Sequence, residues 1–250
     1  MTFSPDSPVA TAVLPSENRG ERISGPADML ILHYTGMPTA DGALARLRDP
    51  AAEVSAHYLV FEDGRVAQLV PEAERAWHAG RGFWAGLTDI NSRSIGIEIV
   101  HPGHDGGLPP YPTAQIESVI LLCADILART RIPAARVLAH SDVAPARKED
   151  PGENFPWDRL AAAGIGHWVA PAPIRDGRFF ARGEAGEPIA ALQAMFALYG
   201  YDQPVTGRFD EDMQAVVTAF QRHFRQARVD GVADSSTITT LRDLIAALPG

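Results

Sequence analysis

Cysteine is almost absent: Cys123 is the only one, so no intramolecular disulfide can form and oxidative export leaves no mark. Positive charge is also scarce. The chain has 22 Lys and Arg against 31 Asp and Glu, a formal net charge of −9. That excludes nucleic acid as a partner, since phosphate backbones are held by clustered Lys and Arg. No apolar run approaches the length needed to span a bilayer, which excludes membrane insertion. The opening MTFSPDSPVATAVLPSENRGER lacks a basic n-region and an apolar h-region, and no early cysteine offers a lipid-attachment site. A soluble, cytoplasmic, monomeric protein is expected, with the periplasm as the alternative if an export signal has been removed.

What is present is ample material for a core. Hydrophobic residues make up 46% of 250 positions, a length that suits one large and one small domain. Residues 1–24, rich in Pro, Ser and charge, read as a mobile arm. ADMLILHYTG opens with a short apolar run suited to a buried strand ending at His33. HYLVFEDGRVAQLV reads as a hairpin around Asp63-Gly64. In SIGIEIV, Ile95, Ile97 and Ile99 alternate with Ser94, Gly96 and Glu98. TAQIESVILLCADILART has helical spacing with Thr113 as its N-cap, and RVLAH reads as another buried strand ending at His140. The fold class is therefore α/β, a mixed central sheet flanked by helices over residues 25–168. Residues 169–184 form a linker. Residues 185–250 form a small three-helix domain, in which VTGRFD and VDGVAD repeat V-x-G-x-x-D, with Gly for the turn and Asp to cap the next helix.

Three side chains stand out as metal ligands. His33 and His140 each end a strand and can point from one sheet edge, and Asp150 follows on the proline-stiffened loop VLAHSDVAPARKEDPGENFPW (137–157). Two imidazoles and a carboxylate suit catalytic zinc with one open position; structural or surface histidines are the competing reading. Glu98 shares a strand face with Gly96, which leaves room for a ligand. It either faces a cleft or is solvated on an exposed sheet face. Lys148 is a surface lysine or, beside a metal, a donor to an oxyanion.

Five segments, MLILHYTGM (29–37), SAHYLVFEDGRVAQLV (55–70), AWHAG (76–80), LTDINSRSIGIEIV (87–100) and residues 137–157, resemble the zinc-dependent N-acetylmuramoyl-L-alanine amidases of the amidase-2 family, related in fold to peptidoglycan recognition proteins. The resemblance spans residues 20–168 in family order. It implies a Zn2+ site at the sheet edge with His33, His140 and Asp150 as ligands, Glu98 and Lys148 as catalytic residues, and His57, Trp77, His78 and Asn91 lining or supporting a muropeptide cleft. GRFDEDMQAVVTAFQRHF and DGVADSSTITTL resemble a peptidoglycan-binding domain. The implied activity is hydrolysis of the amide between N-acetylmuramic acid, or its anhydro form, and L-alanine, in cell-wall turnover or muropeptide recycling. A non-catalytic peptidoglycan-recognition protein is the alternative.

Overall fold

The computed structural model describes residues 3–249. Its N-terminal stretch carries β1 (Ala12–Val13) and β2 (Arg19–Glu21). The apolar run forms β3 (Met29–Tyr34), and Thr39 caps α1 (Ala40–Arg48) by accepting from the Gly42 amide. β4 (Tyr58–Val60) and β5 (Val66–Gln68) make the hairpin, antiparallel, with Leu59 opposite Ala67. Next come β6 (Glu74–Ala76), α2 (Ile90–Arg93), β7 (Ser94–Ile99), α3 (Thr113–Arg129), β8 (Val137–Ala139), α4 (His140–Val143) and α5 (Trp157–Ala162). The small C-terminal unit is α6 (Glu187–Tyr199), α7 (Glu211–Phe224) and α8 (Ser235–Ala246).

The main sheet has the order β1-β5-β4-β7-β3-β8. β7 pairs in parallel with β3 and β4, and β8 in parallel with β3. Parallel strands need cover on both faces, and the alternation of side chains divides that task. Leu30, Leu32, Ile95, Ile97 and Ile99 meet Ile116, Val119, Cys123 and Ile126 of α3. Met29, Ile31 and Leu138 point the other way and share a core with Phe196, Phe220 and Leu244 of the C-terminal helices. The second domain thus covers one sheet face directly.

Three local expectations need correction. Residues 1–24 are no mobile arm over their described part: β1 pairs with β5 and β2 with β6. Ser16 donates to the Leu47 carbonyl, and Asn18 to those of Asp49 and Val54. Their polar groups, a signature of disorder in sequence, are satisfied by main-chain carbonyls; residues 1 and 2 lie outside the described residues. Thr113 begins α3 rather than capping it, the N-cap being Pro112. His140 does not end a strand; β8 stops at Ala139 and His140 opens α4. The V-x-G-x-x-D turns follow expectation, with Gly207 and Gly231 at φ 69° and 70° and Asp210 and Asp234 accepting from the amides of Met213 and Thr237. Among the described residues no helix is long and apolar enough to cross a membrane.

Candidate metal centre and catalytic cleft

The parallel strands β3, β7 and β8 deliver the site. In their register His33 lies beside Glu98, and His140 leaves the end of β8 on the far side of β3. Carboxyl ends of parallel strands are where open α/β sheets place ligands. The loop after α4 folds back, fastened by the Ser141 amide donating to the Asp150 carbonyl at 3.0 Å. Asp150 Oδ2 then stands 3.0 Å from His33 Nδ1 and 2.9 Å from His140 Nδ1, and the two nitrogens are 2.9 Å apart. All three residues are buried, and their ligand atoms lie within 4.8 Å of one another.

Hydrogen-bond partners assign the ring protons. His140 Nε2 faces the Ala79 carbonyl at 3.0 Å. A carbonyl only accepts, so Nε2 carries the proton and Nδ1 of the neutral ring offers a lone pair. Ser94 donates its hydroxyl to the Ile90 carbonyl and so must accept from His78 Nε2 at 3.1 Å. His78 Nδ1 is therefore an acceptor, and His33 Nε2, 2.9 Å away, donates to it. That leaves His33 Nδ1 as a lone pair too. Burial pushes His33 down to about 4, with His140 and Lys148 adding to the effect against Asp150, so the ring is neutral near pH 7.

Two imidazole lone pairs and a carboxylate oxygen thus converge with no proton between them. Such a cluster repels itself unless a cation fills it. A tetrahedral ion with bonds of about 2.0–2.1 Å sets its ligand atoms roughly 3.3 Å apart, within a few tenths of the observed triangle. The donor set fits a divalent metal.

Glu98 is buried, at 8% exposure, and its Oε2 has no partner among the described residues. The solvated-face reading fails because the segment after β3, α1 and the loop beyond it close over this end of the strand. Burial raises its pKa well above the ordinary value, Asp150's charge raises it further, and Lys148 opposes both. The carboxyl opens on a small cavity of about 60 Å³ lined by Thr35, Met37, Arg46 and Leu47. Lys148 is half-buried, and its charge is felt by both Glu98 and His33. It is also the chain's only lysine; the other basic residues are all arginine. A larger surface hollow, about 740 Å³, lies elsewhere, beside Arg22, Glu72 and Arg129. The Arg129 guanidinium there is already paired with Glu72.

The four residues associated with the cleft separate on inspection. His78 orients His33 through the relay above. Asn91 Oδ1 accepts the amides of His78 and Ala79 at 3.1 and 2.8 Å, steadying both residues that orient the ligand rings. Trp77 is half-buried and its main chain is tied to Ser55. His57 is a core histidine: Nδ1 accepts the Gly96 amide at 2.9 Å and Nε2 donates to the Glu74 carbonyl at 3.1 Å. The space left by Gly96 is also spoken for, since a Cβ there would collide with the His78 ring. Sequence alone gives little sign of Asp142, fully buried two residues beyond His140; the one signal is a carboxylate in the turn HSDV straight after the apolar run of β8.

His57 carries a prediction. Burial, aided by Arg22's charge, lowers its pKa from 6.5 to about 3. A depressed folded pKa means that the unfolded chain binds the proton first, so this stability is complete above pH 6.5 and is lost as pH falls towards 3. At about pH 4.5 the loss from His57 is about 2.7 kcal/mol, from ~1.36 kcal/mol per pH unit. Urea unfolding of wild type and His57→Gln at pH 7 and 4.5 measures it. The variant's stability should fall less with acid, and equal slopes would remove His57 from the account.

A buried carboxylate beside a His, His, Asp cluster, at the carboxyl edge of an α/β sheet, defines the class: a metal-dependent hydrolase. The chain belongs to the N-acetylmuramoyl-L-alanine amidase family, whose model matches residues 24–153, and a putative peptidoglycan binding domain matches residues 185–241. It is similar to N-acetylmuramoyl-L-alanine amidase AmiD of Escherichia coli K12, 41% identical over 84% of this chain and 79% of that one. It is also 41% identical to 1,6-anhydro-N-acetylmuramyl-L-alanine amidase AmpD of Enterobacter cloacae over 44% of this chain and 56% of that protein. Among solved structures, AmiD from E. coli in complex with anhydro-N-acetylmuramic acid-L-Ala-D-gamma-Glu-L-Lys superposes with a TM-score of 0.76. It is 37% identical and the match covers 90% of this chain and 91% of that one. AmpDh3 from Pseudomonas aeruginosa in complex with anhydromuramic pentapeptide gives 0.74 at 30% identity over the whole of both chains.

Proposed function

We propose that this amidase is a zinc enzyme that cleaves the amide between the lactyl group of anhydro-N-acetylmuramic acid and L-alanine of the stem peptide. The observation that carries the reading is the proton-free convergence of His33 Nδ1, His140 Nδ1 and Asp150 Oδ2 beside the unpartnered Glu98 carboxyl. Those three atoms would hold the zinc, which when bound supplies Lewis acidity towards a carbonyl and lowers the pKa of water. Glu98 takes the proton from the attacking water and passes it to the departing amine of L-alanine, a base and then an acid in one turnover. Its raised pKa suits the return of that proton. Lys148 holds positive charge beside Glu98 and stabilises the oxyanion as it develops. His78, Asn91 and Ala79 keep both imidazoles in the ligating tautomer. The anhydro form is favoured because the solved relatives named above hold anhydromuramic peptides.

The test uses soluble anhydro-muropeptide and whole sacculi in parallel, with the products read by mass spectrometry. Free stem peptide should leave the soluble substrate, stop with a chelator and resume with zinc. A zinc-replete protein that releases peptide from neither substrate would overturn the reading. The lone lysine permits a second check. Acetylation of amines neutralises only Lys148 and the chain's amino terminus, and activity should fall on the order of 10²–10³-fold, as for loss of an oxyanion donor. Reductive methylation keeps the charge and should cost far less. Equal losses from the two treatments would argue against a charge role.

A further inference from the structure

Asp142 is fully buried, and a buried carboxylate is costly unless donors surround it. Its Oδ2 accepts the Ala139 amide at 2.8 Å and His223 Nδ1 at 2.6 Å, and its Oδ1 accepts the Tyr201 hydroxyl at 2.7 Å. Two of these three donors belong to the C-terminal helical domain. The His223 ring is itself fixed, stacked on Trp157 at 3.7 Å and on Phe224 at 3.8 Å between centroids. In the metal loop, the segment from α4 to Trp157 that carries Asp150, Glu149 pairs with Arg222 of α7 at 2.7 Å. Gln226 donates to the Phe155 carbonyl at 2.7 Å. The end of α7 and the residues just past it therefore grip the metal loop at both of its ends.

We infer that the C-terminal domain is a strut of the metal site, with Tyr201 and His223 as positioning residues that hold His140 in place through Asp142. His140 and Asp142 share the single turn α4. A carboxylate that loses one of its buried donors must seek another, and the turn moves with it. The ligand nitrogen needs placement to a few tenths of an ångström, so such motion weakens metal binding before it unfolds anything. This role is separate from glycan binding and places the second domain in the chemistry of the first.

The inference rests on the zinc reading above, and the test separates the two. Full-length wild type, Tyr201→Phe, His223→Phe and His223→Asn are loaded with zinc or cobalt(II). The Phe variants keep an aromatic ring and lose one donor; Asn restores a donor near the position of Nδ1. Tyr201→Phe and His223→Phe should bind zinc about 10–100-fold more weakly in chelator competition. Their cobalt absorption should change, and kcat on soluble muropeptide should fall with KM unchanged. His223→Asn should recover part of each loss. If His223→Phe does not fold, Tyr201→Phe, which lacks only a hydroxyl, decides alone. Folded variants with wild-type zinc affinity and cobalt spectrum would overturn the inference alone. A wild type without zinc affinity would overturn the zinc reading and the inference with it.

Discussion

Glu98→Gln should keep its metal, keep its fold and lose hydrolysis by about 10³–10⁴-fold, the upper part of the range for general acid–base groups. The size follows from the double duty assigned to one carboxyl, which both accepts the water's proton and returns it to the amine. Glutamine fills the same space on β7 beside His33, so substrate and metal should still bind, and the loss belongs to kcat. A second signature has the opposite sign. The Glu98 pKa is raised well above its ordinary value, first by burial and then by Asp150. A raised folded pKa means that the folded chain binds this proton more tightly than the unfolded chain. Stability is therefore drained as pH climbs above the unfolded carboxyl range, and at neutral pH the metal-free protein carries that cost. Glutamine removes it, so the metal-free variant should melt higher, by about 2–4 °C for each kcal/mol recovered. An inactive variant that melts lower in the metal-free state would contradict the buried-base assignment. One that retains most of its turnover would refute the catalytic role.

The parts of this arrangement differ in how plainly the sequence shows them. Alternation in SIGIEIV puts Glu98 opposite the isoleucines, and the apolar run before His33 predicts a buried strand, because both signals are local. That His33 and Glu98 stand side by side depends on a pairing across more than sixty positions, which no local pattern encodes; there the family resemblance supplied what the residues could not. The N-terminal stretch misled for a physical reason. Ser16 and Asn18 look solvated in composition, yet both are buried and serve as donors to main-chain carbonyls. His57 and His78 differ only in which backbone groups surround them, so no spacing rule tells a core histidine from one that orients a ligand. Asp142 and His223, 81 positions apart, carry no local sign of a pairing that forms only where the domains meet. Lys148 is the contrary case. In a chain that otherwise uses arginine throughout, one lysine on the loop that carries Asp150 is a compositional signal for a compact ammonium rather than a planar fork, a signal that reading Lys148 as a surface lysine leaves unused.

Asp150→Ala should fail differently from Glu98→Gln, and the contrast locates the metal. Asp150 supplies the only negative charge in the cluster; removing it leaves two neutral nitrogens 2.9 Å apart. The remaining pair lacks both the third ligand and the attraction of a carboxylate for a divalent cation, so zinc content after gel filtration should fall well below one per chain. Turnover without added metal should fall by at least about 10³-fold, since the electrophilic contribution is lost along with the ion. Excess zinc should restore part of the Asp150→Ala activity and none of the Glu98→Gln activity. Asp150→Asn sharpens the point. Its amide group would turn a donor towards one Nδ1 and satisfy that lone pair internally, so the variant should bind zinc no better than alanine while melting higher without metal. If Asp150→Ala kept one zinc per chain and full turnover, the ligand set would be wrong. The convergence of lone pairs at 2.9–3.0 Å would then need protons, and those protons would have to come from the His78–Ser94 relay or the Ala79 carbonyl contact being reversed. Neither can reverse while Ser94 donates to Ile90 and a carbonyl remains an acceptor, so the metal is the simpler occupant.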